Sequence, residues 1–351
     1  MTSPDTAQTE GTTANRRAAE IVFDGVTKRY PGQAQPAVDE LSLAIAAGEI
    51  CMLVGPSGAG KTTALKLINR LIDFEEGEIT IDGRGVRGLE LTELRRGIGY
   101  VIQQIGLFPH QTIEANIGTV PRLLGWDRRR IRERARELIE LVGLDPDEYA
   151  ERYPTQLSGG QRQRVGLARA LAADPPVMLM DEPFGALDPI TRARLQDEFL
   201  HLQAQVQKTV VFVTHDIDEA IKMGDKVAVL REGGRLAQYD SPDAILGRPV
   251  DDFVARFVGA DRGLKRLSLR RVGDLELLPP DGAKLNGNPF ARRDTPLRDA
   301  LSLMLSEAGS QLIVVDDAKQ PVGLITADLI SSALAGVDES ARSAGEDEVP
   351  A

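Results

Sequence analysis

The spacing of apolar residues predicts a chain in which buried strands alternate with amphipathic helices. Unbroken apolar runs at 50–54, 177–180 and 210–213 are typical of strands buried within a sheet. Apolar positions recur at helical spacing across 127–142 and 195–206, with polar residues between them. This alternation favours an α/β fold built on a parallel sheet.

A glycine-rich loop follows the first apolar run. Small residues let successive backbone N–H groups close around an anion, and the segment 64–72 that follows predicts a helix whose positive end points at the same place. Lys61 would neutralise phosphate charge, and the Thr62 hydroxyl would bind Mg²⁺. The sequence therefore predicts a phosphate-binding loop. Its residues are Gly55, Pro56, Ser57, Gly58, Ala59, Gly60, Lys61, Thr62 and Thr63.

Two carboxylates follow the run at 177–180, at the sheet edge where doubly wound folds bind ligands. Asp181 suits Mg²⁺ bound through water. Glu182 suits a general base, or a group that orients water for attack on the last phosphate. The sequence thus predicts metal-assisted chemistry at this edge.

Other candidate residues at the ends of predicted strands or in a loop have a structural interpretation beside the functional one. Gln103 follows the predicted strand 98–102, and an amide there is commonly a turn former. His215 follows 210–213, where its ring could hydrogen-bond a terminal phosphate or have a structural role. Tyr30, just before a Pro-Gly turn, is either a loop residue or an aromatic that stacks on a purine ring.

A second candidate anion site lies at 157–161, Leu-Ser-Gly-Gly-Gln, before a helix-like stretch that extends to Leu171. Ser158 would offer a hydroxyl, and Gly159 and Gly160 would offer bare N–H groups at a helix start. A capped helix explains the same residues. The segment by itself does not decide between these two interpretations.

Composition bounds the function. The chain has 351 residues, 42% of them hydrophobic, which suffices for one large domain and a smaller one. A formal net charge of −11 leaves no global field that attracts nucleic acid, so no nucleic-acid partner is expected. The single cysteine, Cys51, lies in a predicted strand and is expected to be a buried apolar residue. No apolar run reaches about 18 residues and no leader pattern is present, so a cytoplasmic location is expected.

With these motifs in this order, residues 20–260 resemble an ABC-type ATP-binding cassette. The resemblance implies a P-loop α/β nucleotide-binding domain that binds ATP and Mg²⁺ and hydrolyses ATP. It implies these roles: adenine stacking for Tyr30, the Walker A loop for Gly55 to Thr63, contact with Mg²⁺ or the attacking water for Gln103, the signature for Ser158, Gly159, Gly160 and Gln161, the Walker B aspartate for Asp181, the catalytic glutamate for Glu182, the D-loop aspartate for Asp188, and the switch histidine for His215. Thr62, Gln103 and Asp181 would hold the metal.

The same resemblance implies an assembly. Two cassettes of this family pair head to tail, so Ser158 and Gly160 of one chain would complete the site at Lys61 of its partner. A homodimer is therefore expected, or a pair with a similar subunit. Two transmembrane permease subunits, which would dock on the segment 103–117, and an extracytoplasmic substrate-binding protein complete the expected complex. The chain would then lie peripherally on the cytoplasmic face of the membrane.

The C-terminal part resembles one CBS motif. Residues 295–334 predict helix, strand, strand and helix, and Thr326 and Asp328 match nucleotide-ribose contacts of that family. Members of the related subgroup often have two such motifs, so this copy is expected to pair with the partner's copy. The fold class is therefore a P-loop ABC-type domain with a small C-terminal α/β CBS-like domain. The predicted boundaries are a disordered tail at 1–19, the ATP-binding domain at 20–260, a linker and CBS-like motif at 261–335, and an acidic tail at 336–351.

The CBS-like extension and the segment 185–197 resemble the ATPase subunits of glycine betaine, carnitine and choline importers. The predicted function is to power import of such a quaternary-amine osmoprotectant. The alternatives are import of another solute, such as a sugar or amino acid, and a soluble ABC ATPase outside transport. The basic residues Lys265, Arg266, Arg270 and Arg271 either contact anionic lipid as part of a salt- or nucleotide-dependent gate, or form a solvated basic turn.

Overall fold

The structure is a computed structural model that describes residues 17–103, 106–185, 187–280, 289–307 and 309–334. The predicted tails therefore lie outside the described residues, apart from residues 17–19. Within the described ranges, no helix is long and apolar enough to cross a membrane.

The strands are β1 Ile21–Lys28, β2 Val38–Ile45, β3 Ile50–Val54, β4 Glu76–Ile81, β5 Arg84–Gly85, β6 Ile98–Val101, β7 Val177–Asp181, β8 Thr209–Val213, β9 Lys226–Leu230, β10 Leu236–Asp240, β11 Phe290–Arg292, β12 Gln311–Val315 and β13 Pro321–Thr326. The α-helices are α1 Lys61–Ile68, α2 Leu91–Arg96, α3 Ile113–Ile117, α4 Thr119–Leu123, α5 Arg128–Leu141, α6 Pro146–Tyr149, α7 Gly159–Leu171, α8 Pro189–Val206, α9 Ile217–Met223, α10 Pro242–Gly247, α11 Asp252–Val258, α12 Arg262–Leu269 and α13 Leu297–Ser306. Short 3₁₀ turns lie at Val86–Gly88, Pro154–Gln156 and Val272–Asp274.

The first of two compact units contains residues 17–26, 42–49 and 65–212. In it β8, β7 and β6 are neighbours in that order, and β6 runs parallel to β7 with Ile98 opposite Val177. A separate sheet has the order β2, β1, β4, β5. The predicted strands at 177–180 and 210–213 are confirmed as buried strands.

The second unit contains residues 27–41, 50–64 and the described residues from 213 onward. Here β3 runs parallel to β9, and β10 is antiparallel to β9 at the edge. All five residues of β3 are buried, Cys51 among them. A fully buried parallel strand accounts for the unbroken apolar run at 50–54.

Helix α5 begins at a side-chain cap. The Asp127 carboxylate accepts hydrogen bonds from the backbone N–H groups of Arg129 and Arg130, each at 3.0 Å, and α5 starts there. The buried side of α5 is formed by Ile131, Ala135, Leu138 and Ile139. The predicted helix at 127–142 is thereby confirmed to within one residue at each end.

The C-terminal region has its own small sheet and core. Strand β12 pairs in parallel with β11 and antiparallel with β13. Helix α13, these strands and a helical segment at 327–334 confirm the predicted order of helix, strand, strand and helix, and β11 was not predicted. The buried cluster consists of Leu267, Val272, Ala291, Leu297, Ala300, Met304, Leu312, Val314, Ile325 and Ile330.

Candidate functional site

Close backbone packing explains the glycines of the phosphate loop. Gly60 has a φ of +76°, a backbone angle that residues with a side chain rarely adopt. A Cβ there would also collide with the Ala37 carbonyl oxygen. A Cβ on Gly55 would collide with the carbonyl of Leu230. The loop between β3 and α1 is therefore held against neighbouring backbone.

Lys61 is the first residue of α1 and is 8% exposed. Its Nζ donates hydrogen bonds to the carbonyl oxygens of Gly55, at 2.7 Å, and Pro56, at 2.9 Å. Thr62 follows in the first turn of α1. The loop thus has an ammonium group inside it and the positive end of a helix dipole beneath it, and both favour an anion.

The Tyr30 segment lies against the same loop. Tyr30 is half-buried, and the Lys28 ammonium lies 5.4 Å from the centre of its ring. The Ala37 N–H donates to the Lys28 carbonyl at 2.8 Å, which closes this segment, and the Ala37 carbonyl faces Gly60. The structure therefore places the predicted adenine-stacking residue in the unit that contains the phosphate loop.

His215 is also in this unit, close to the end of β3. The N–H of Thr214 donates to the Leu53 carbonyl at 3.2 Å, two residues before Gly55. After His215, the Asp216 carboxylate caps α9. The exposed His215 thus lies between a strand end and a helix start, and the residue before it contacts the strand that leads into the phosphate loop.

Gln103 and Glu182 meet in the first unit. Strand β7 ends at Asp181, and the Gln103 Nε2 donates to the Glu182 Oε2 at 3.3 Å. Glu182 has a φ of +44°, a left-handed conformation that is unfavourable for a residue with a side chain. The next residue, Pro183, is held at its carbonyl by the Gln163 amide. Strain at this point is typical of a functional turn.

Tyr100 is a residue that the sequence analysis missed. It lies on β6 opposite Leu179 of β7 and is half-buried. Burial, and after it the negative charge of Asp181, raises the pKa of Tyr100 to about 12. The sequence shows a tyrosine in a strand, but only the register of β6 against β7 places the phenol within the field of Asp181.

The signature segment forms a capping box at the start of α7. The Ser158 Oγ accepts from the Gln161 N–H at 3.3 Å, and the Gln161 Oε1 accepts from the Ser158 N–H at 2.8 Å. The Gln161 Nε2 also donates to the Tyr149 hydroxyl at 2.9 Å. The helix cap is therefore present, and the anion site stays a prediction, because the cap leaves Ser158 exposed at a helix N-terminus.

Asp188 caps the next long helix beside the signature. Its Oδ1 accepts from the Thr191 N–H at 3.0 Å, and that hydrogen bond lowers the pKa of Asp188 below its usual value. A Cβ on Gly160 would lie 3.2 Å from the Thr191 methyl carbon, so the N-termini of α7 and α8 are packed together. The structure thus brings Asp188 and the signature residues into one patch.

The donor set suits Mg²⁺. The predicted ligands Thr62, Gln103 and Asp181 supply only oxygen atoms, and within the described part of the chain no group of three or more His, Cys, Asp or Glu could hold a metal. Mg²⁺ usually binds to one or two carboxylates, substrate phosphates and water, whereas zinc prefers nitrogen and sulfur ligands in a closed cage. The oxygen chemistry of these side chains, Thr62 in the second unit and Gln103 and Asp181 in the first, therefore suits a magnesium ion that arrives with phosphate.

The predicted docking segment is ordered around Asn116, which is fully buried. Its Oδ1 accepts from the Phe108 N–H at 2.7 Å, and its Nδ2 donates to the carbonyl oxygens of Phe108, Gln111 and Thr112 at 3.1, 3.1 and 2.9 Å. Phe108 remains 39% exposed. Residues 104 and 105 of the predicted segment lie outside the described residues.

The basic residues at 265–271 do not form a free patch. The Lys265 and Arg266 side chains are 11% and 8% exposed, and both are paired with aspartates of the chain. Arg270 donates to the Ala333 carbonyl at 2.7 Å, and Arg271 to the Asp294 carbonyl at 2.6 Å. The expectation of a lipid-binding or solvated group is wrong for Lys265 and Arg266, because their charges are already compensated and buried.

Comparisons with known proteins agree with this geometry. The family model described as ABC transporter matches residues 38–185, and the model described as CBS domain matches residues 286–336. The osmoprotectant import ATP-binding protein OsmV of Salmonella typhimurium is 49% identical over 87% of this chain and 78% of its own length. The glycine betaine/carnitine/choline transport ATP-binding protein OpuCA of Bacillus subtilis is 48% identical over 88% of this chain and 79% of its own. The glycine betaine uptake system ATP-binding protein YehX of Escherichia coli is 47% identical over 87% of this chain and 97% of its own length.

Solved structures give the same fold. The dimeric structure of a bacterial ABC transporter cassette has a TM-score of 0.57 and 37% identity, and it covers 63% of this chain and 98% of its own. The same cassette in a post-hydrolysis state bound to ADP and Pi has a TM-score of 0.56 and 36% identity.

Proposed function

Because the chain belongs to the ATP-binding proteins of ABC transporters, we propose that it hydrolyses ATP to power import of a quaternary-amine osmoprotectant through separate permease subunits. Glycine betaine, carnitine and choline form the substrate class. One observation carries the ATPase part of the proposal: Lys61 is held inside a glycine loop at a helix N-terminus, ready for a phosphate. The substrate class rests on relatives with 47–49% identity over most of the chain.

Each site residue has one chemical task in this proposal. The loop 55–63 binds the phosphates, and Tyr30 stacks on the adenine. Glu182 accepts a proton from the attacking water or orients it, and His215 donates a hydrogen bond to the terminal phosphate. Thr62, Gln103 and Asp181 would hold Mg²⁺, which would neutralise phosphate charge. The hydrogen bond from Gln103 to Glu182 supports a shared role for these two residues.

We also propose that two copies of the chain complete each other's sites. Ser158, Gly160 and Asp188 form one patch at the N-termini of α7 and α8. This patch is distant in sequence from the phosphate loop at 55–63. In a head-to-tail homodimer this patch would close over ATP bound at Lys61 of the partner. The dimeric state of the related cassette supports this arrangement.

The other subunits of the proposed complex are inferred from the proposed import function. Two transmembrane permease subunits would dock on the segment 103–117, and an extracytoplasmic binding protein would deliver the solute. The chain would then lie on the cytoplasmic face of the membrane. The predicted limits of the ATP-binding domain, 20–260, and of the CBS-like part, 261–335, remain predictions, as does the pairing of the CBS-like motif with its copy in the partner.

The dimer is tested with Glu182→Gln, a change that keeps the shape of the side chain and removes its charge. We expect the variant to bind MgATP, to hydrolyse it at least about 100-fold more slowly, and to form dimers in light scattering behind a sizing column. Lys61→Ala is the control and should stay monomeric under the same conditions. A Glu182→Gln protein that stays monomeric when saturated with MgATP would contradict the proposed sharing of sites.

The substrate class is tested by uptake. Cells that lack this chain are complemented with the wild-type chain or with Lys61→Ala, and uptake of labelled glycine betaine, carnitine and choline is measured beside a sugar and an amino acid. We expect uptake of at least one of the three amines to require the active chain. Unchanged uptake of all three amines, with loss of sugar or amino-acid uptake, would identify another solute.

A further inference from the structure

Three successive residues of α12 reach three different parts of the second unit. Successive helix residues point about 100° apart, so neighbours in sequence can contact separate elements. Lys265 reaches α9, Arg266 reaches α10, and Leu267 is buried in the C-terminal core. One turn of α12 therefore connects these three elements.

Lys265 saturates its ammonium group with acceptors of the chain. Its Nζ lies 3.2 Å from an Asp218 carboxylate oxygen, 3.1 Å from that of Asp261, and 2.9 Å from the Val258 carbonyl oxygen. Three acceptors match the three donors of an ammonium group. Burial by itself would lower the pKa of Lys265, but the hydrogen bonds and charges of Asp261 and Asp218 outweigh it, and the pKa is raised.

Asp218 connects this contact to the proposed switch histidine. The Asp216 carboxylate, which follows His215 directly, accepts from the N–H groups of Asp218, at 2.9 Å, and Glu219, at 3.3 Å. The first turn of α9 is thus ordered by a cap that begins one residue after His215. Lys265 holds the carboxylate of that same turn.

The other side of α12 is joined to the C-terminal core. Leu267 is 2% exposed within that core. The Leu297 N–H donates to the Arg270 carbonyl at 2.8 Å, and the Val272 N–H donates to the Thr295 carbonyl at 2.9 Å. The end of α12 is therefore joined by hydrogen bonds and buried side chains to the region that matches the CBS domain family. Arg266, with two hydrogen bonds of 2.9 and 3.2 Å to Asp243, ties α12 to α10 as well.

We propose that Lys265 is a positioning residue for His215: by tying α9 to α12, it makes the rate of ATP hydrolysis depend on where the C-terminal core holds α12. The inference rests on the proposed role of His215 in hydrolysis. An ion pair that only stabilised the fold would change the folded fraction and leave the rate per folded molecule as it was. The two cases therefore differ in kcat.

The experiment uses the full chain and compares kcat and KM for MgATP. Lys265→Met removes the charge and keeps most of the aliphatic stem, and Lys265→Arg keeps the charge. Asp218→Asn weakens the same contact from a side chain that is 68% exposed. Arg262→Met is the matched control, because it removes one positive charge from an exposed position on the same helix. Hydrogen exchange of the amides in 214–223 reports the order of α9 directly.

We expect Lys265→Met to lower kcat about five- to tenfold with KM within about twofold, and Lys265→Arg to restore kcat to within about twofold. Asp218→Asn should lower kcat too, and the double variant should be no slower than Lys265→Met by itself, because Lys265→Met has already removed the contact that Asp218→Asn weakens. Exchange in α9 should be faster in Lys265→Met and unchanged in Arg262→Met.

A kcat of Lys265→Met equal to that of the wild type would overturn the proposal. A double variant in which the kcat losses of the two single variants multiply would overturn it as well. If Lys265→Met does not fold, Asp218→Asn decides, and wild-type kcat and α9 exchange in that variant overturn the proposal. A wild-type chain without ATPase activity would instead contradict the proposed function. The exchange measurement separates the two failures, because it does not depend on hydrolysis.

Discussion

At the scale of the residue, the environment of Tyr100 differs most from what its neighbours in sequence indicate. It lies in a short apolar strand, Ile98–Val101, where an aromatic residue usually serves packing. In the fold it is half-buried beside Asp181, and a phenolate there would be poorly solvated and repelled by the carboxylate. The phenol therefore stays protonated up to strongly alkaline pH.

This environment predicts a pH dependence of stability. Between about pH 10, the ordinary pKa, and about pH 12, the folded protein keeps a proton that the unfolded chain has lost, so the free energy of unfolding falls as the pH rises. Tyr100→Phe removes this contribution and should lose less stability over that range. Denaturant unfolding of both proteins at pH 8 and from pH 10 to 12 measures the difference. Tyr153→Phe, at a tyrosine that is 44% exposed, is the control. Equal pH slopes in wild type and Tyr100→Phe would show that the phenol titrates normally.

At the scale of the element, one short helix and the loop before it are held by a buried polar side chain. Helix α3 has only five residues, too few to be stable through its own hydrogen bonds. Asn116 within it holds both the N–H and the carbonyl of Phe108 and two further carbonyls of the preceding loop. The exposed ring of Phe108 is thereby presented from an ordered loop, which suits the proposed docking of a permease.

We expect Asn116→Ala to lower the free energy of unfolding by about 2–3 kcal/mol, because it leaves the Phe108 N–H and the Gln111 carbonyl without the hydrogen bonds that Asn116 makes to them. Asn69→Ala is the matched control: Asn69 is 4% exposed, and its side chain accepts one hydrogen bond, from the Leu71 N–H at 3.2 Å. That change should cost about 1 kcal/mol. Chemical denaturation of the two variants measures both values. A loss in Asn116→Ala no larger than in Asn69→Ala would mean that the loop is held by other contacts.

At the scale of the whole molecule, the C-terminal core extends beyond the segment that matches the CBS domain model. The match to the CBS domain family begins at residue 286, but Leu267 and Val272 contribute buried side chains to the same core. A single small motif has little apolar surface to bury, so it gains stability from residues that precede it. The C-terminal region and α12 are therefore one packed structure.

Two neighbouring residues of α13 test this core. Met304 is 1% exposed and Leu305 is 74% exposed. We expect Met304→Ala to lower the free energy of unfolding by about 2–5 kcal/mol through lost burial and a cavity, and Leu305→Ala by less than about 0.5 kcal/mol. Thermal and denaturant unfolding of the full chain, followed by circular dichroism, compare the two. Similar small losses in both variants would mean that the core is not closed around Met304.

The local features of the site could be predicted from the sequence. The cap at Ser158 and the apolar runs of β3 and β7 depend on residues a few positions apart. The positive φ angles of Gly58 and Gly60 are local too, whereas the close approach of Gly55 to the Leu230 carbonyl joins residues that are distant in the sequence. Backbone sterics, helix capping and burial on both faces act over such short distances, and a motif records them directly.

Only the tertiary structure decided what distant residues do to one another. The strand register placed Tyr100 beside Asp181, and helix packing turned Lys265 and Arg266 from candidate surface cations into largely buried side chains paired with aspartates. These outcomes depend on which elements pack together and in what register, and the sequence pattern of one element does not contain that information. A side chain's charge can be predicted from the sequence, but its partner and its degree of burial are set by contacts that form only when the chain folds.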